Sequence, residues 1–298
     1  MFSKAFLEYQ DKIPTAPPPQ PGEGGGFGGP AGPGGPGGPD MPPAKPLPEG
    51  CGEEKVIIGG VPGLHLTGDR CREKACFLYI HGGGFTLGSG MTAGPLLAHF
   101  YCATGLEGYS VDYSLAPVHK FPTAVNECVA FYRGLLEKGY DRIVVGGESA
   151  GAGLTLSLVH ALKAEKLPLP TCIWASSPVD HIRFDQQELF RQDMFTASNA
   201  QIIEAYVGDA DINDPRLSPI CGDFGDFPPA FIQAGSGESL AAGALRIVDK
   251  LVRAGNEVHF TFGKGMPHTF AMDYELYPEA ENAMNEILAF VNGVLNLR

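Results

Sequence analysis

The feature that most constrains the fold is an alternation, from residue 51 onward, of short apolar runs with longer amphipathic stretches. Several short runs are almost wholly apolar, which is typical of parallel strands covered on both faces. The longer stretches repeat apolar residues every three or four positions, the helical period. The predicted strands span residues 55–58, 64–67, 76–80, 109–112, 142–146, 171–176, 230–234 and 257–262, and the predicted helices span 93–104, 122–138, 150–166, 240–254 and 278–296. This alternation predicts an α/β fold with a mostly parallel eight-stranded sheet flanked by helices.

Two segments lie outside the alternation. Residues 17–48 contain 11 Gly and 12 Pro in 32 positions, a composition that sustains neither a helix nor a central strand. We therefore expect residues 1–50 to form an N-terminal arm with a Gly/Pro-rich linker, and 51–298 to form the main domain. The stretch 181–225 predicts an insertion over the sheet edge, where substrate pockets are commonly built. Residues 1–13 predict a short amphipathic helix that docks on this insertion, contributes to a cap and forms a wall of the substrate pocket. The alternative is an arm that makes no contacts.

Charge and cysteine content exclude several classes of protein. The chain has 21 Lys and Arg against 34 Asp and Glu, a net charge of −13, and no basic run, which makes nucleic acid and anionic membrane poor partners. No stretch approaches 18 consecutive apolar residues, and the first residues lack an apolar signal-peptide core. Seven cysteines without a Cys-x-x-Cys pattern indicate free thiols in a reducing compartment. We predict a cytoplasmic protein without a membrane anchor, and a homo-oligomer is compatible with the sequence.

A Gly-x-Ser-x-Gly string, Gly147-Glu-Ser149-Ala-Gly151, runs from a predicted strand directly into a predicted helix. This strand–turn–helix setting is the one that a nucleophile elbow requires. Such a turn raises the Ser149 hydroxyl above the carboxyl edge of the sheet, and side chains at Gly147 or Gly151 would collide across the bend. The motif predicts that Ser149 is a nucleophile.

A second glycine motif, His81-Gly82-Gly83-Gly84, follows another predicted strand. Consecutive glycines leave backbone N–H groups unshielded, and an acyl-transfer enzyme needs such donors where charge develops on a carbonyl oxygen. A phosphate-binding loop is the alternative, but neither Gly-Lys-Ser/Thr nor a Gly-x-Gly-x-x-Gly fingerprint is present. Together with Ser149, the motif predicts an oxyanion hole.

A nucleophilic serine needs a base, and the base needs an acid that orients it. His268 lies in the loop after the last predicted strand and is the predicted base, whereas His259 lies inside that strand and is assigned a structural role. Glu238 follows the penultimate strand and is the predicted acid. Its alternative interpretation is a helix-start carboxylate favoured by the dipole, and Asp180, after the preceding strand, is the competing acid.

These motifs, in this order, resemble those of the hormone-sensitive-lipase-like family of α/β-hydrolase serine esterases. Further matches are Glu238-x-Leu240, His268-x-Phe270, Val111-Asp-Tyr-Ser-Leu-Ala-Pro117 and Asp214-Pro-Arg-Leu-Ser218-Pro219, and the resemblance covers about residues 55–295. It implies an α/β-hydrolase fold, with a cap built from the N-terminus and the insertion near 181–225. It also implies a serine carboxylesterase that acts on short acyl esters of small molecules, with the N–H groups of Gly83, Gly84 and Ala150 as the oxyanion hole.

The chain departs from the family pattern at Ser114 and Val118, where members usually have Arg and Glu. Two other functions stay open: amide or formamide hydrolysis by the same triad, and ligand binding without catalysis, although all three triad residues are present. The string Asp209-Ala-Asp-Ile-Asn-Asp214 resembles the start of a calcium loop but lacks its glycine. We predict no metal and no cofactor.

Overall fold

The computed structural model describes residues 2–10, 46–182 and 205–296. All eight predicted strands are present in a single sheet of order β1-β2-β4-β3-β5-β6-β7-β8. Their bounds are Cys51–Ile58, Val61–Gly68, Ala75–Ile80, Glu107–Val111, Arg142–Glu148, Cys172–Ser176, Ala230–Gly235 and Val258–Gly263. β1, β2 and β4 pair antiparallel, and every other pairing is parallel. The α/β-hydrolase fold with its mostly parallel sheet is confirmed.

Helices cover both faces of the sheet. Their bounds are α1 Lys4–Gln10, α2 Gly94–Thr104, α3 Thr123–Glu137, α4 Ala150–Glu165, α5 Ala241–Arg253 and α6 Pro278–Val294. Successive side chains of a strand point to opposite faces of the sheet, so the residues of β3 contribute alternately to the two resulting cores. Leu78 and Ile80 pack with α3, α4 and α5, whereas Phe77 and Tyr79 pack with α2 and α6. Each core therefore rests on the same central strands, whose carboxyl ends meet at one edge.

Helix α4 lies at the centre of one layer. Its first thirteen residues are buried, so it is enclosed on nearly all sides and not amphipathic as its sequence pattern predicted. It packs on β3, β5 and β6 beneath α3 and a 3₁₀ turn at Pro219–Cys221. Enclosure of this kind fixes the position of the helix start, which directly follows β5.

Most of the Gly/Pro-rich segment and part of the insertion lie outside the described residues, namely 11–45 and 183–204. The second half of the insertion packs over the α3 face of the sheet. The Tyr206 ring stacks on Phe85 with centroids 4.1 Å apart, and the Tyr206 carbonyl accepts a hydrogen bond from the Phe121 N–H at 2.8 Å. The insertion therefore adjoins the glycine loop that ends at Gly84.

The predicted N-terminal helix is present as α1, but its described contacts differ from the prediction. The sequence placed it against the 181–225 insertion. Instead, Phe6 is buried in the opposite core and its ring lies 5.1 Å from that of Tyr277 at the start of α6. α1 also contacts the 3₁₀ turn Phe270–Asp273. The described part of the insertion, residues 205–225, belongs to the α3 layer, so the described contacts of α1 are on the other side of the sheet.

Candidate active site

The structure brings Ser149, His268 and Glu238 together above the carboxyl ends of the central strands. Ser149 Oγ lies 2.9 Å from His268 Nε2, and His268 Nδ1 lies 2.5 Å from Glu238 Oε2. A carboxylate can only accept, so Nδ1 carries the proton and Nε2 is left free to accept the Ser149 hydroxyl proton. These residues are separated by up to 119 positions in the chain. The arrangement can move a proton from a serine hydroxyl to an imidazole.

Ser149 occupies a strained turn between β5 and α4. Its backbone has φ +55° and ψ −121°, a region that side chains rarely adopt. The Ser149 N–H donates to Ser176 O at 2.9 Å, which ties the turn to β6. A Cβ atom on Gly151 would lie 2.0 Å from Ile80 O, and one on Gly147 would lie 2.4 Å from the same oxygen. The two glycines thus let the elbow press against the end of β3.

The two candidate acids have different partners. The Glu238 carboxylate is fully buried, and its Oε1 accepts hydrogen bonds from Ser177 Oγ at 2.8 Å and from the Gly235 N–H at 2.7 Å. The Asp180 carboxylate is equally buried, but it pairs with Arg246 at 2.8 Å. Burial raises the pKa of Asp180, and Arg246 partly offsets this. The geometry therefore places Glu238, and not Asp180, behind the imidazole.

The two candidate histidines are also separated by the structure. The His259 side chain projects from edge strand β8, half exposed, with its ring 5.0 Å from that of Phe290 and its Nε2 3.6 Å from Glu257. His268 follows the same strand and lies above the sheet edge. Of these two histidines, only His268 is within hydrogen-bonding distance of Ser149.

Ser177 is a supporting residue that sequence reasoning missed. Its hydroxyl donates to Glu238 and accepts the Thr269 N–H at 2.9 Å, so it links the acid to the residue after His268. The available signal was its position directly after β6, at the edge where the other site residues collect.

The predicted oxyanion donors lie in the glycine loop after β3 and at the start of α4. Gly83 and Gly84 have φ +107° and +61°, and a Cβ on Gly83 would lie 2.2 Å from Leu87 O. Within the described part of the chain, no acceptor hydrogen-bonds to the N–H of either glycine. Ala150 is the first residue of α4, where helix N–H groups lack intrahelical partners. These amides can therefore serve a ligand oxygen.

Two buried side chains shape the glycine loop. His81 Nδ1 lies 2.7 Å from Gly82 O, and its ring stacks on Tyr113. Burial lowers the pKa of His81, which keeps the imidazole neutral. Glu148 Oε1 accepts the Gly82 N–H at 2.6 Å, and its Oε2 accepts the Tyr79 hydroxyl at 2.7 Å. Burial raises the pKa of Glu148 to about 7.

Glu148 thus joins the elbow to the glycine loop, a role not assigned from the sequence. Its place inside the Gly-x-Ser-x-Gly string was the only local signal. Because Glu148 and Gly82 are 66 positions apart, their contact depends on the pairing of β3 with β5.

Among residues 2–10, 46–182 and 205–296, no group of three or more His, Cys, Asp or Glu side chains is placed to hold a metal ion. In the string that resembles a calcium loop, Asp214 pairs with Arg216 at 2.7 Å. No helix within these ranges has the length and apolar character needed to cross a bilayer.

Comparison with known proteins identifies relatives of the chain. A family model described as an alpha/beta hydrolase fold matches residues 77–272. An esterase of Acinetobacter venetianus is 31% identical over 247 residues, covering 80% of this chain and 81% of the relative. An acetyl-hydrolase of Streptomyces hygroscopicus is 33% identical over 250 residues, covering 78% of this chain and 84% of the relative.

A solved structure gives the same result. The crystal structure of a hormone-sensitive lipase from a metagenome library superposes with a TM-score of 0.77 at 31% identity, covering 83% of this chain and 87% of that one. Relatives of this identity and coverage belong to the same family and do not merely share a fold. The chain therefore belongs to the hormone-sensitive-lipase-like group of the α/β-hydrolase family and is a carboxylic ester hydrolase.

Proposed function

We propose that the protein is a serine carboxylesterase that hydrolyses short-chain acyl esters through a Ser149–His268–Glu238 triad. The observation that carries the proposal is the continuous contact from Ser149 Oγ to His268 Nε2 at 2.9 Å and from His268 Nδ1 to Glu238 at 2.5 Å. Position after the penultimate strand favoured Glu238 in the sequence, with Asp180 as the competing acid. The contacts favour Glu238, since Asp180 is engaged by Arg246.

The reaction proceeds by two acyl transfers. His268 Nε2 takes the Ser149 proton while Oγ attacks the ester carbonyl carbon, and the N–H groups of Gly83, Gly84 and Ala150 hold the resulting oxyanion. The tetrahedral intermediate collapses, His268 returns its proton to the departing alcohol, and an acyl-serine remains. Water then attacks the acyl-enzyme with His268 as base, which releases the acid and restores Ser149. Glu238 stabilises the imidazolium that forms in each half.

The preference for short acyl chains is supported by the name of a relative. The Streptomyces hygroscopicus relative is named an acetyl-hydrolase, and it matches 78% of this chain. We propose the same substrate class here. Hydrolysis of p-nitrophenyl esters from two to twelve carbons measures it directly: kcat/KM should be highest at two to six carbons, and a maximum at ten or twelve would contradict the proposal.

Replacing the nucleophile tests the mechanism. Ser149→Ala should reduce p-nitrophenyl acetate turnover by about 10⁴-fold or more, because no acyl-enzyme can form. A fluorophosphonate should add one label to the wild-type chain and none to Ser149→Ala, as read by intact mass. Ser110→Ala is the matched control, since it removes another buried serine hydroxyl, on β4, and should keep both activity and labelling. Persistent labelling of Ser149→Ala would exclude Ser149.

The domain arrangement belongs to the same proposal. Residues 51–298 form the catalytic domain, the insertion at about 181–225 supplies the cap, and residues 1–50 form the arm. The stacking of Tyr206 on Phe85, next to the glycine loop, supports a cap role for the insertion. The mechanism requires neither a cytoplasmic location nor a homo-oligomer, and both stay predictions.

A further inference from the structure

The N-terminal helix α1 packs on the segment that carries His268. His268 lies between β8 and the 3₁₀ turn Phe270–Asp273, and α6 follows at Pro278. Phe6 of α1 is fully buried among residues of this segment, including Met266, Phe270 and Tyr277. A seven-residue helix has little stability alone, so this contact also holds α1 in place.

Polar contacts fix α1 at both of its ends. At the first end, Ser3 donates from its backbone N–H and from its hydroxyl to the Glu279 carboxylate, at 2.5 and 2.6 Å. At the other end, the Tyr9 hydroxyl donates to Asp273 Oδ2 at 2.7 Å. Tyr277 also donates toward Asp273, at the long distance of 3.5 Å. The Tyr9 bond is therefore the stronger of these two.

Phe2, two positions before α1, reaches the residues that precede His268. Phe2 packs on Gly265, where a Cβ atom would lie 2.6 Å from the Phe2 ring. Gly265 has φ +70°, and its N–H donates to Ser236 Oγ at 2.7 Å in the loop that holds Glu238. Contacts from residues 2–9 thus lie on both sides of His268, three positions before it and five positions after it.

We propose that α1, together with the two residues before it, is a positioning element for His268, acting through the Tyr9–Asp273 bond and the Phe2–Gly265 contact, and that its effect is on kcat and not on the acyl pocket. The inference rests on the proposed triad. It differs from the pocket-wall role expected from the sequence, because a wall would act on the binding of long acyl chains. A positioning element acts on every substrate equally, since each reaction uses the same imidazole.

Single substitutions in the full chain test the proposal. Tyr9→Phe removes only the hydroxyl, and it should lower kcat by about three- to tenfold for acetyl and hexanoyl esters alike, with KM changed less than twofold. This loss is below the roughly hundredfold cost of a 1 Å misplacement, because the Phe2 and Phe6 contacts remain. Asp273→Ala should reproduce the loss, and Asp273→Asn should largely restore kcat, since its carbonyl oxygen can still accept from Tyr9.

The matched control is Tyr140→Phe, which also removes a phenol that donates to a carboxylate, that of Glu107, away from the site. It should leave kcat unchanged. The low-field proton resonance of the His268–Glu238 hydrogen bond should broaden in Tyr9→Phe and Asp273→Ala but not in Tyr140→Phe. A merely structural role of Tyr9 would lower the melting temperature without moving this resonance or kcat.

The outcomes separate this inference from the proposed function. If Ser149→Ala is inactive while Tyr9→Phe and Asp273→Ala keep wild-type kcat, the positioning role is wrong and the triad stands. If Tyr9→Phe raises KM for hexanoyl esters only, α1 is a pocket wall and the proposal is overturned. If Ser149→Ala keeps full activity, the proposed function fails and the positioning role fails with it.

Discussion

The nucleophile elbow and the histidine loop carry parts of one proposed triad, but they are held in different ways. The elbow lies between central strands, and the backbone of β3 closes around Gly147 and Gly151. The loop of His268 follows edge strand β8, and its supports include side chains from α1, more than 250 positions away in the chain. The elbow therefore depends on close backbone packing that leaves no room for a side chain at either glycine. The histidine loop depends on several separable contacts, so it should tolerate single changes better.

Each region also contains a carboxyl group whose pKa is raised. On the elbow side, burial raises the pKa of Glu148 to about 7. On the histidine side, burial raises the pKa of Asp273 to about 6, although hydrogen bonds from Tyr9 and Tyr277 act in the opposite direction. The two carboxyls hold loops in place, one through the Gly82 N–H and the other through the Tyr9 hydroxyl.

The largest effect is expected inside the triad. Replacing Glu238 tests whether its contact with His268 contributes more to kcat than the other contacts of the histidine loop. Glu238→Gln should lower kcat by about 10³–10⁴-fold with little change in KM, because the amide no longer stabilises the imidazolium and favours the wrong tautomer. Asp180→Asn is the matched control. It should destabilise the fold by about 1–3 kcal/mol, since Arg246 loses its counter-charge, while kcat per active site stays within a fewfold of wild type. Reversal of the two results would assign the acid role to Asp180.

A pair of glycine substitutions tests the contrast between the two regions directly. Gly151→Ala should lower kcat by about 100-fold and destabilise the fold by about 3 kcal/mol, because its Cβ meets the backbone oxygens of Ile80 and His81, which cannot move alone. Gly265→Ala should lower kcat only about two- to threefold, because its Cβ meets the end of the Phe2 side chain.

An alanine at a positive φ destabilises the fold by itself, and this cost must be subtracted from the effect of Gly265→Ala. Gly255→Ala supplies this control, since Gly255 has φ +82° and open space at the Cβ position, and it should cost about 1 kcal/mol with no change in kcat. Urea unfolding and steady-state kinetics on the three variants measure both quantities. Equal losses of kcat in Gly151→Ala and Gly265→Ala would remove the distinction between the two regions.

The smallest effect concerns pH and the charge on Glu148. The folded-state pKa of about 7 exceeds the ordinary value of 4.5, so between these pH values the folded chain holds a proton that the unfolded chain releases. The free energy of unfolding should therefore fall as pH rises from 4.5 to 7, by roughly 1–3 kcal/mol from this group.

Glu148→Gln isolates this contribution. Its side-chain carbonyl can still accept the Gly82 N–H, but it does not titrate, so its melting temperature should fall less than that of the wild type between pH 5 and 8. Asp273 titrates in both proteins and cancels in the comparison. If the melting temperatures of the two proteins change equally with pH across this range, the pKa of the Glu148 carboxyl is not raised.

Local sequence determined the elements and the elbow. The alternation of apolar runs with helical stretches predicted eight strands and the five helices after residue 51, all of which are present. The Gly-x-Ser-x-Gly string predicted a strand–turn–helix junction because β5, Ser149 and α4 are contiguous in the chain. Local signals succeed here because neighbouring residues alone decide the backbone path. Prediction of the triad also used the order of the motifs along the chain, which resembles that of a known family.

Tertiary structure decided which distant groups meet. Glu238 and Asp180 both follow parallel strands and both are buried, and only packing gives one an imidazole and the other an arginine. The amphipathic pattern of residues 1–13 predicted a helix, but the docking site expected for it, the insertion, differs from its described contacts, since an apolar face specifies no partner. The contact of Tyr9 with Asp273 spans 264 positions, and that of Glu148 with Gly82 spans 66. Such contacts depend on strand order and layer packing, which the whole chain determines jointly and no local pattern encodes.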